Sequence, residues 1–188
     1  MNGFVTLFLL AVAVERVVEL SVSRRHERAL VARGFSVAVE PAFAVMVAVH
    51  AATLVGAWGE GTWAPWRSDV RIVAGILFTG STLLRWWVIR TLGERWTVRV
   101  VAGPRLALTT AGPYRYLRHP NYLAVLFEVP AVALMCGAWR TALVCGIANG
   151  FVLRARIRLE ERTLAAYVPY REEFRGRRAL IPRRGLSR

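Results

Sequence analysis

The sequence contains no lysine, few acidic residues and only two cysteines. Its 26 basic residues are all arginines and outnumber 12 acidic ones, which gives a formal net charge of +14. Cys136 and Cys145 form no Cys-x-x-Cys pair, and no histidine stands at ligand spacing from them. Metal and disulfide chemistry therefore have no support, and both cysteines are expected to be small buried apolar residues.

Hydrophobic residues make up 55% of the 188 residues and are concentrated in blocks. The blocks are residues 3–23, 41–58, 70–89, 121–137 and 141–153. Since roughly 20 apolar residues cross a hydrocarbon core of about 30 Å, each of the first three predicts one membrane-spanning helix. The last two are short and predict a helical hairpin with a turn at 137–140. We therefore predict an all-α, polytopic integral membrane protein with about five transmembrane helices.

The arginines indicate how such a protein would be oriented. They are concentrated after the first and third blocks and after the fifth, and the positive-inside rule makes these segments cytoplasmic. The amino terminus is then outside and the carboxyl terminus inside. Residues 1–3 carry no basic charge, so the first block is expected to be a retained span and not a signal peptide. Topology and attraction to anionic lipid account for the arginines, and no nucleic-acid partner is predicted.

Local patterns predict the structure of the polar segments. Residues 24–30 favour a helical extension of the first span, stopped by Gly34. Residues 96–101 alternate like a strand, and Gly103-Pro104 followed by 106–109 predicts a turn and a return strand. A small β-hairpin is therefore expected over the cytoplasmic mouth. Residues 154–164 are expected to continue the fifth helix until Pro169 breaks it.

Charged residues inside the predicted spans need an explanation, because burying them in hydrocarbon is costly. We expect ion pairs that hold helices together for Glu15, Arg16, Glu19 and Arg85. Glu128 stays open as a candidate catalytic residue, since it lies about two turns into the fourth helix and projects from the helix that follows a tyrosine-rich loop.

That loop, residues 112–122, gathers two prolines, three tyrosines, two arginines, a histidine and an asparagine directly before an apolar run. Because a helical hairpin returns the chain to the side it left, the loop and residues 154–161 are expected to form one cytoplasmic site. His119 precedes Pro120, which favours an extended backbone and then the first turn of a helix. The free N–H groups there, with Arg118, are suited to a carboxylate. Tyr114, Tyr116 and Tyr122 offer faces for an adenine ring or a sulfonium.

The motif Arg118-His119-Pro120-Asn121-Tyr122, preceded by Gly112-Pro113-Tyr114-Arg115 and followed by Arg156-Ile157 and Glu160-Glu161, resembles the isoprenylcysteine carboxyl methyltransferase family. The resemblance covers about residues 92–182. The front half is similar to a bacterial branch, some of whose members O-methylate phenolic (alkylresorcinol) or pyrone lipids. The resemblance to the family implies an S-adenosylmethionine-dependent membrane O-methyltransferase in the bacterial inner membrane. Such an enzyme would act on a carboxylate or hydroxyl of a lipophilic substrate.

The resemblance also implies roles for individual residues. Together with Arg118, the expected cofactor contacts are Leu106, Ala107, Leu108, Thr109, Tyr114, His119, Pro120, Asn121, Tyr122 and Glu160. Arg156 would meet the substrate, and Glu161, Glu128 or His119 would take a proton from a phenolic acceptor. For Arg156 and Glu160, four residues apart, the alternative is an ordinary surface ion pair.

The predicted organisation is three spans with a cytoplasmic loop 24–40 in residues 1–90, and a methyltransferase-like region in 91–188. Membrane lipid and a lipophilic small molecule are the expected partners, with no obligate protein partner. Two alternatives stay open, namely a reductase of the sterol-reductase type that binds a nicotinamide cofactor, and a membrane scaffold without enzymatic activity.

Overall fold

The computed structural model describes residues 3–61, 63, 68–103, 108–167, 174, 177 and 179–180. Within them the chain is mostly helical and contains one two-stranded sheet. The elements are α1 (Gly3–Ala32), β1 (Ser36–Val37), α2 (Pro41–Gly61), α3 (Ser68–Leu92), β2 (Val101–Ala102), α4 (Pro120–Met135) and α5 (Trp139–Ala165), with 3-10 turns at Gly93–Arg95 and Gly112–Arg115.

The five predicted helices are all present. The first apolar block and its polar extension form one helix, α1, which ends just before Gly34 turns the chain with a φ of +87°. The fifth block and residues 154–164 likewise form one continuous helix, α5. Pro169, expected to break it, lies outside the described residues. The division of the chain at residue 90 stays a prediction.

Two helices of the described chain are long and apolar enough to cross a membrane, namely α2 and α3 with its 3-10 continuation to Arg95. Helix α4 is apolar but has only 16 residues. The count of five crossings and the orientation of the termini stay predictions.

Helix α4 packs against α2, α3 and α5, while α1 packs on the bundle through Val5, Leu9 and Val12. The α4–α5 turn is held by the end of α2. The Glu60 carboxylate accepts the N–H groups of Arg140 and Thr141 at 3.0 and 2.9 Å and so caps the start of α5. Cys136 and Cys145 are both buried and free, as expected.

The predicted β-hairpin is wrong. Strand β2 does not pair with a return strand but with β1, antiparallel, with Ser36 opposite Ala102 and Val37 opposite Val101. Leu108 and Thr109 are not in a strand, and Leu106 and Ala107 lie outside the described residues. The physical reason is that the loop between α1 and α2 lies beside β2 and satisfies its backbone groups, and Ala38 extends this pairing by donating its N–H to the Val100 carbonyl.

The charges inside the bundle form one network that joins three helices. Arg16 of α1 pairs with Glu15 at 3.2 Å and with Glu19 at 2.7 Å. Arg85 of α3 pairs with Glu19 at 3.4 Å, and both arginines pair with Glu128 of α4. The expectation that these residues hold helices together is confirmed.

Candidate cofactor site

A cavity of about 140 Å³ lies where the start of α4, the later part of α5 and the loop after α3 meet. Most of the predicted cofactor contacts line it, namely Leu108, Thr109, Tyr114, Arg118, His119, Asn121, Tyr122 and Glu160. Pro120 is buried just behind the wall as the first residue of α4. Leu106 and Ala107 lie outside the described residues. The hairpin thus brings the two predicted segments together.

The local sequence explains how the loop presents its side chains. Gly112 has a φ of +56° and lies against Thr91, where a Cβ atom would clash. The 3-10 turn that follows carries Tyr114 to the cavity. His119 is not helical, with a φ of −130°, and Pro120 begins α4 as predicted.

Two carboxylates flank the imidazole of His119. Its Nε2 lies 3.1 Å from Glu161 Oε1, and its Nδ1 lies 3.8 Å from Glu160 Oε2. The same Glu161 oxygen is 2.8 Å from Arg118 Nη1. His119 is only 3% exposed, and its ring centroid is 5.5 Å from that of Tyr122. The cavity therefore contains a buried imidazole with a carboxylate on each side.

Arg156 is not among the described residues that line the cavity. It is 1% exposed and lies behind Tyr122, with its guanidinium carbon 5.8 Å from the centre of the tyrosine ring. Its Nη2 lies 3.0 Å from Glu40 Oε2. A surface ion pair between Arg156 and Glu160 is therefore the wrong interpretation of their spacing.

Glu128 is also away from the cavity. Its carboxylate is 3% exposed and pairs with Arg16 and Arg85. Beside it is a smaller cavity of about 30 Å³, which His50 and Thr53 also line. His50 is bonded within its own helix, because its Nδ1 lies 2.8 Å from the Met46 carbonyl.

Residues 96–101 form a third wall of the cavity that the sequence did not predict. Helix α1 holds this segment, because His26 Nδ1 donates to the Trp96 carbonyl and the Val98 N–H donates to Ser23 Oγ, both at 2.8 Å. Alternation in residues 96–101 indicated an extended chain, but no local pattern connects it with Ser23 or His26.

Several polar atoms at the cavity are buried and have no hydrogen-bond partner among the described residues. They are Trp96 Nε1, Arg99 Nε, Thr109 Oγ1, Arg118 Nε and Asn121 Oδ1. Buried polar groups are rarely left in this state without a ligand or water. The cavity therefore offers both donors and acceptors to a polar ligand.

An apolar patch also lines the cavity. Leu164 and Phe174 are buried together, with Leu108 and Tyr114 packed against them. Burial, and secondarily the Glu160 carboxylate, raises the pKa of Tyr114 above its ordinary value, so its hydroxyl stays protonated far above neutral pH. A ligand with a flat apolar part and several polar groups fits these walls. In the described part of the chain, no three His, Cys, Asp or Glu side chains are grouped to hold a metal ion.

The fold and the cavity define a class: a helical protein with long apolar helices and a polar-lined cavity at one end of its helical hairpin. Residues 73–166, half of the chain, match the isoprenylcysteine carboxyl methyltransferase (ICMT) family. The chain belongs to this family, and the resemblance read from residues 112–122 and 156–161 is confirmed. Membership supports a membrane methyltransferase.

Three relatives illustrate the range of similar proteins. The chain is 24% identical to "Uncharacterized protein YpbQ" of Bacillus subtilis, over 86% of this chain and 96% of that protein. It is 30% identical to an "Uncharacterized protein" of Haemophilus influenzae, over 88% and 98%. It is also 30% identical to "Cobalt-zinc-cadmium resistance protein CzcN" of Cupriavidus metallidurans, over 70% of this chain and 58% of that protein.

Proposed function

We propose that this protein is an S-adenosylmethionine-dependent O-methyltransferase of the membrane that acts on a lipophilic acceptor. The observation that carries the proposal is the convergence of eight expected cofactor contacts on one cavity, where several buried polar atoms have no hydrogen-bond partner in the described part of the chain. Family membership supports the same chemistry.

The cavity suits the chemical groups of this cofactor, which supplies a methyl group bound to a positively charged sulfur. The apolar patch of Leu108, Leu164 and Phe174 would hold the adenine. Asn121 Oδ1 and the Glu160 carboxylate are acceptors suited to hydroxyl or ammonium groups. Arg118, at the start of α4, is suited to a carboxylate.

The acceptor determines how much further chemistry is required. A carboxylate is already ionised and needs only alignment and the exclusion of water. A phenol, with a pKa near 10, must lose a proton. His119 would take that proton, and Glu161, 3.1 Å from its Nε2, would stabilise the resulting imidazolium. Because Arg156 and Glu128 are paired away from the cavity, we assign neither of them contact with the acceptor.

We also propose that α1 and the α4–α5 hairpin cross the inner membrane together with α2 and α3, with the cavity on the cytoplasmic side. Exposed apolar side chains support this, since Leu7, Leu10 and Val14 on α1 and Val144 and Phe151 on α5 have no partner that covers them among the described residues. The acceptor would then enter from the bilayer.

Alkaline phosphatase fused after residues 32 and 61 tests this orientation. High phosphatase activity is expected only for the fusion after residue 61, and high activity only for the fusion after residue 32 would contradict the orientation.

The relatives do not identify the acceptor, because two are named uncharacterized and the third is named for metal resistance. The decisive experiment is calorimetric titration of the detergent-solubilised protein with S-adenosylmethionine and, separately, with NADPH. Binding of S-adenosylmethionine alone is expected. Binding of the dinucleotide alone would favour the reductase alternative, and binding of neither would favour the scaffold. Methyl transfer to isoprenylcysteine analogues and alkylated phenols would then identify the acceptor.

A further inference from the structure

We propose that Glu40 and Arg156 form a buried clamp that positions one wall of the cofactor cavity, and that Glu40 is therefore a positioning residue for cofactor binding. The inference rests on the proposed function, because it takes S-adenosylmethionine as the ligand. Glu40 belongs to the front of the chain, outside the residues 73–166 that match the family.

The clamp holds the cavity wall at two neighbouring backbone groups. The Glu40 side chain is fully buried, and its Oε1 accepts the N–H of Val100. The Nη2 of Arg156 donates to the Val98 carbonyl and lies 3.0 Å from Glu40 Oε2. Val98 and Val100 both line the cavity. The two partners of one ion pair thus hold the same short segment.

Arg156 also supports a second wall. Its guanidinium lies over the Tyr122 ring, which lines the cavity, and its Nη1 lies 2.8 Å from Met46 Sδ. Both terminal nitrogens of the guanidinium are therefore engaged inside the protein. Arg156 acts on the ligand through Tyr122 and Val98, and it is a positioning residue as well.

Charge explains why each partner needs the other. Removing one member of a buried ion pair leaves an uncompensated charge in a low-dielectric environment, which is strongly unfavourable. In Glu40→Gln, the amide oxygen can still accept the Val100 N–H, but the guanidinium loses its counter-charge. The guanidinium is then expected to move, and Val98 and Tyr122 to move with it.

The test is a double-mutant cycle on the full-length solubilised protein, with the Kd for S-adenosylmethionine as the readout. Glu40→Gln and Arg156→Gln are each expected to raise the Kd at least tenfold. The double variant is expected to raise it by much less than the product of the two single effects, because no unpaired charge is left behind. Single-variant Kd values within twofold of the wild type would overturn the clamp. A double-variant Kd raised by the full product of the two single effects would also overturn it.

Glu60→Gln is the matched control for a merely structural effect. Glu60 is also a carboxylate that accepts backbone N–H groups, but it lies at the far end of α2, about 30 Å from Glu40 by the helical rise. This variant should lower the thermal midpoint and leave the Kd unchanged. If Glu60→Gln raises the Kd as much as Glu40→Gln, the effect of Glu40 is general destabilisation and the clamp is rejected.

Two further outcomes are distinguishable. If a single variant does not fold, Glu40→Asp tests the clamp instead, because it keeps the negative charge and shortens the side chain by one methylene. A Kd at least threefold above the wild type supports the clamp, and a wild-type Kd overturns it. If the wild-type protein does not bind S-adenosylmethionine, the proposed function fails and the clamp with it, whereas wild-type binding with an unchanged Kd in Glu40→Gln rejects the clamp alone.

Discussion

The carboxylate of Glu128 on α4 pairs with the guanidinium of Arg85 on α3 inside the helical bundle, and both side chains are almost completely buried. Arg16 of α1 joins the pair at 3.1 Å from Glu128. Sequence position alone made Glu128 a candidate for the chemistry, because it follows the tyrosine-rich loop on the same helix. Its partners instead indicate that it connects three helices.

Glu128→Gln should therefore reduce stability more than function. Because it leaves the buried Arg85 and the partly buried Arg16 short of counter-charge, the free energy of unfolding is expected to fall by about 3–5 kcal/mol. The Kd for S-adenosylmethionine should stay the same. Denaturant unfolding in detergent and cofactor titration measure both quantities. Glu94→Gln, which breaks the exposed pair with Arg33, is the control and should change stability by less than about 1 kcal/mol. If Glu128→Gln instead lost turnover while its stability and its affinity for S-adenosylmethionine stayed unchanged, Glu128 would have a role in the chemical step.

His119→Ala and Tyr122→Ala should each weaken cofactor binding by roughly 1–3 kcal/mol, because each removes a side chain that lines the cavity and with it a hydrogen bond or a stacking face for the cofactor. Calorimetric titration measures the change. Tyr116→Ala is the matched control from the same loop, since Tyr116 is 55% exposed and does not line the cavity. Unchanged affinity in both cavity variants would mean that the cofactor binds elsewhere.

The adjacent residues Glu160 and Glu161 should separate binding from turnover. Glu160 lines the cavity, so Glu160→Gln is expected to raise the Kd for S-adenosylmethionine several-fold. Glu161 contacts His119 and Arg118, so Glu161→Gln should mainly lower turnover of a phenolic acceptor, by about tenfold or more, because the imidazolium loses its carboxylate. Titration and turnover on the same preparations measure both. If Glu160→Gln mainly lowered turnover and Glu161→Gln mainly raised the Kd, the roles of the two residues would be exchanged.

Tyr114 should make stability fall at alkaline pH. Its pKa is near 10 in the unfolded chain and is raised in the folded protein, first by burial and then by Glu160. The folded state therefore retains a proton that the unfolded state has lost, and stability falls as the pH rises above about 10. Tyr114→Phe should reduce this fall. Thermal midpoints between about pH 8 and pH 11 measure it, and identical slopes in both proteins would contradict the assignment.

Much of the fold could be predicted because local patterns carry it. Three apolar blocks of about 20 residues and two shorter ones identified the helices, and Gly34 and Pro120 identified where one ends and another begins. The convergence of residues 112–122 with Glu160 also followed, since a hairpin brings its two ends together. The pairing of β2 with β1 did not follow, because two-residue strands leave no periodic signal.

By itself, the sequence determined the family, the five helices and the two segments that supply most of the predicted cofactor contacts, because periodicity, turn residues and a dense motif are local properties of the chain. Only the tertiary structure decided that Glu40 pairs with Arg156, that Glu128 pairs with Arg85, and that α1 holds residues 96–98. These contacts join side chains far apart along the chain. Their partners are selected by the packing of helices and by the need to compensate each buried charge, which no local pattern records.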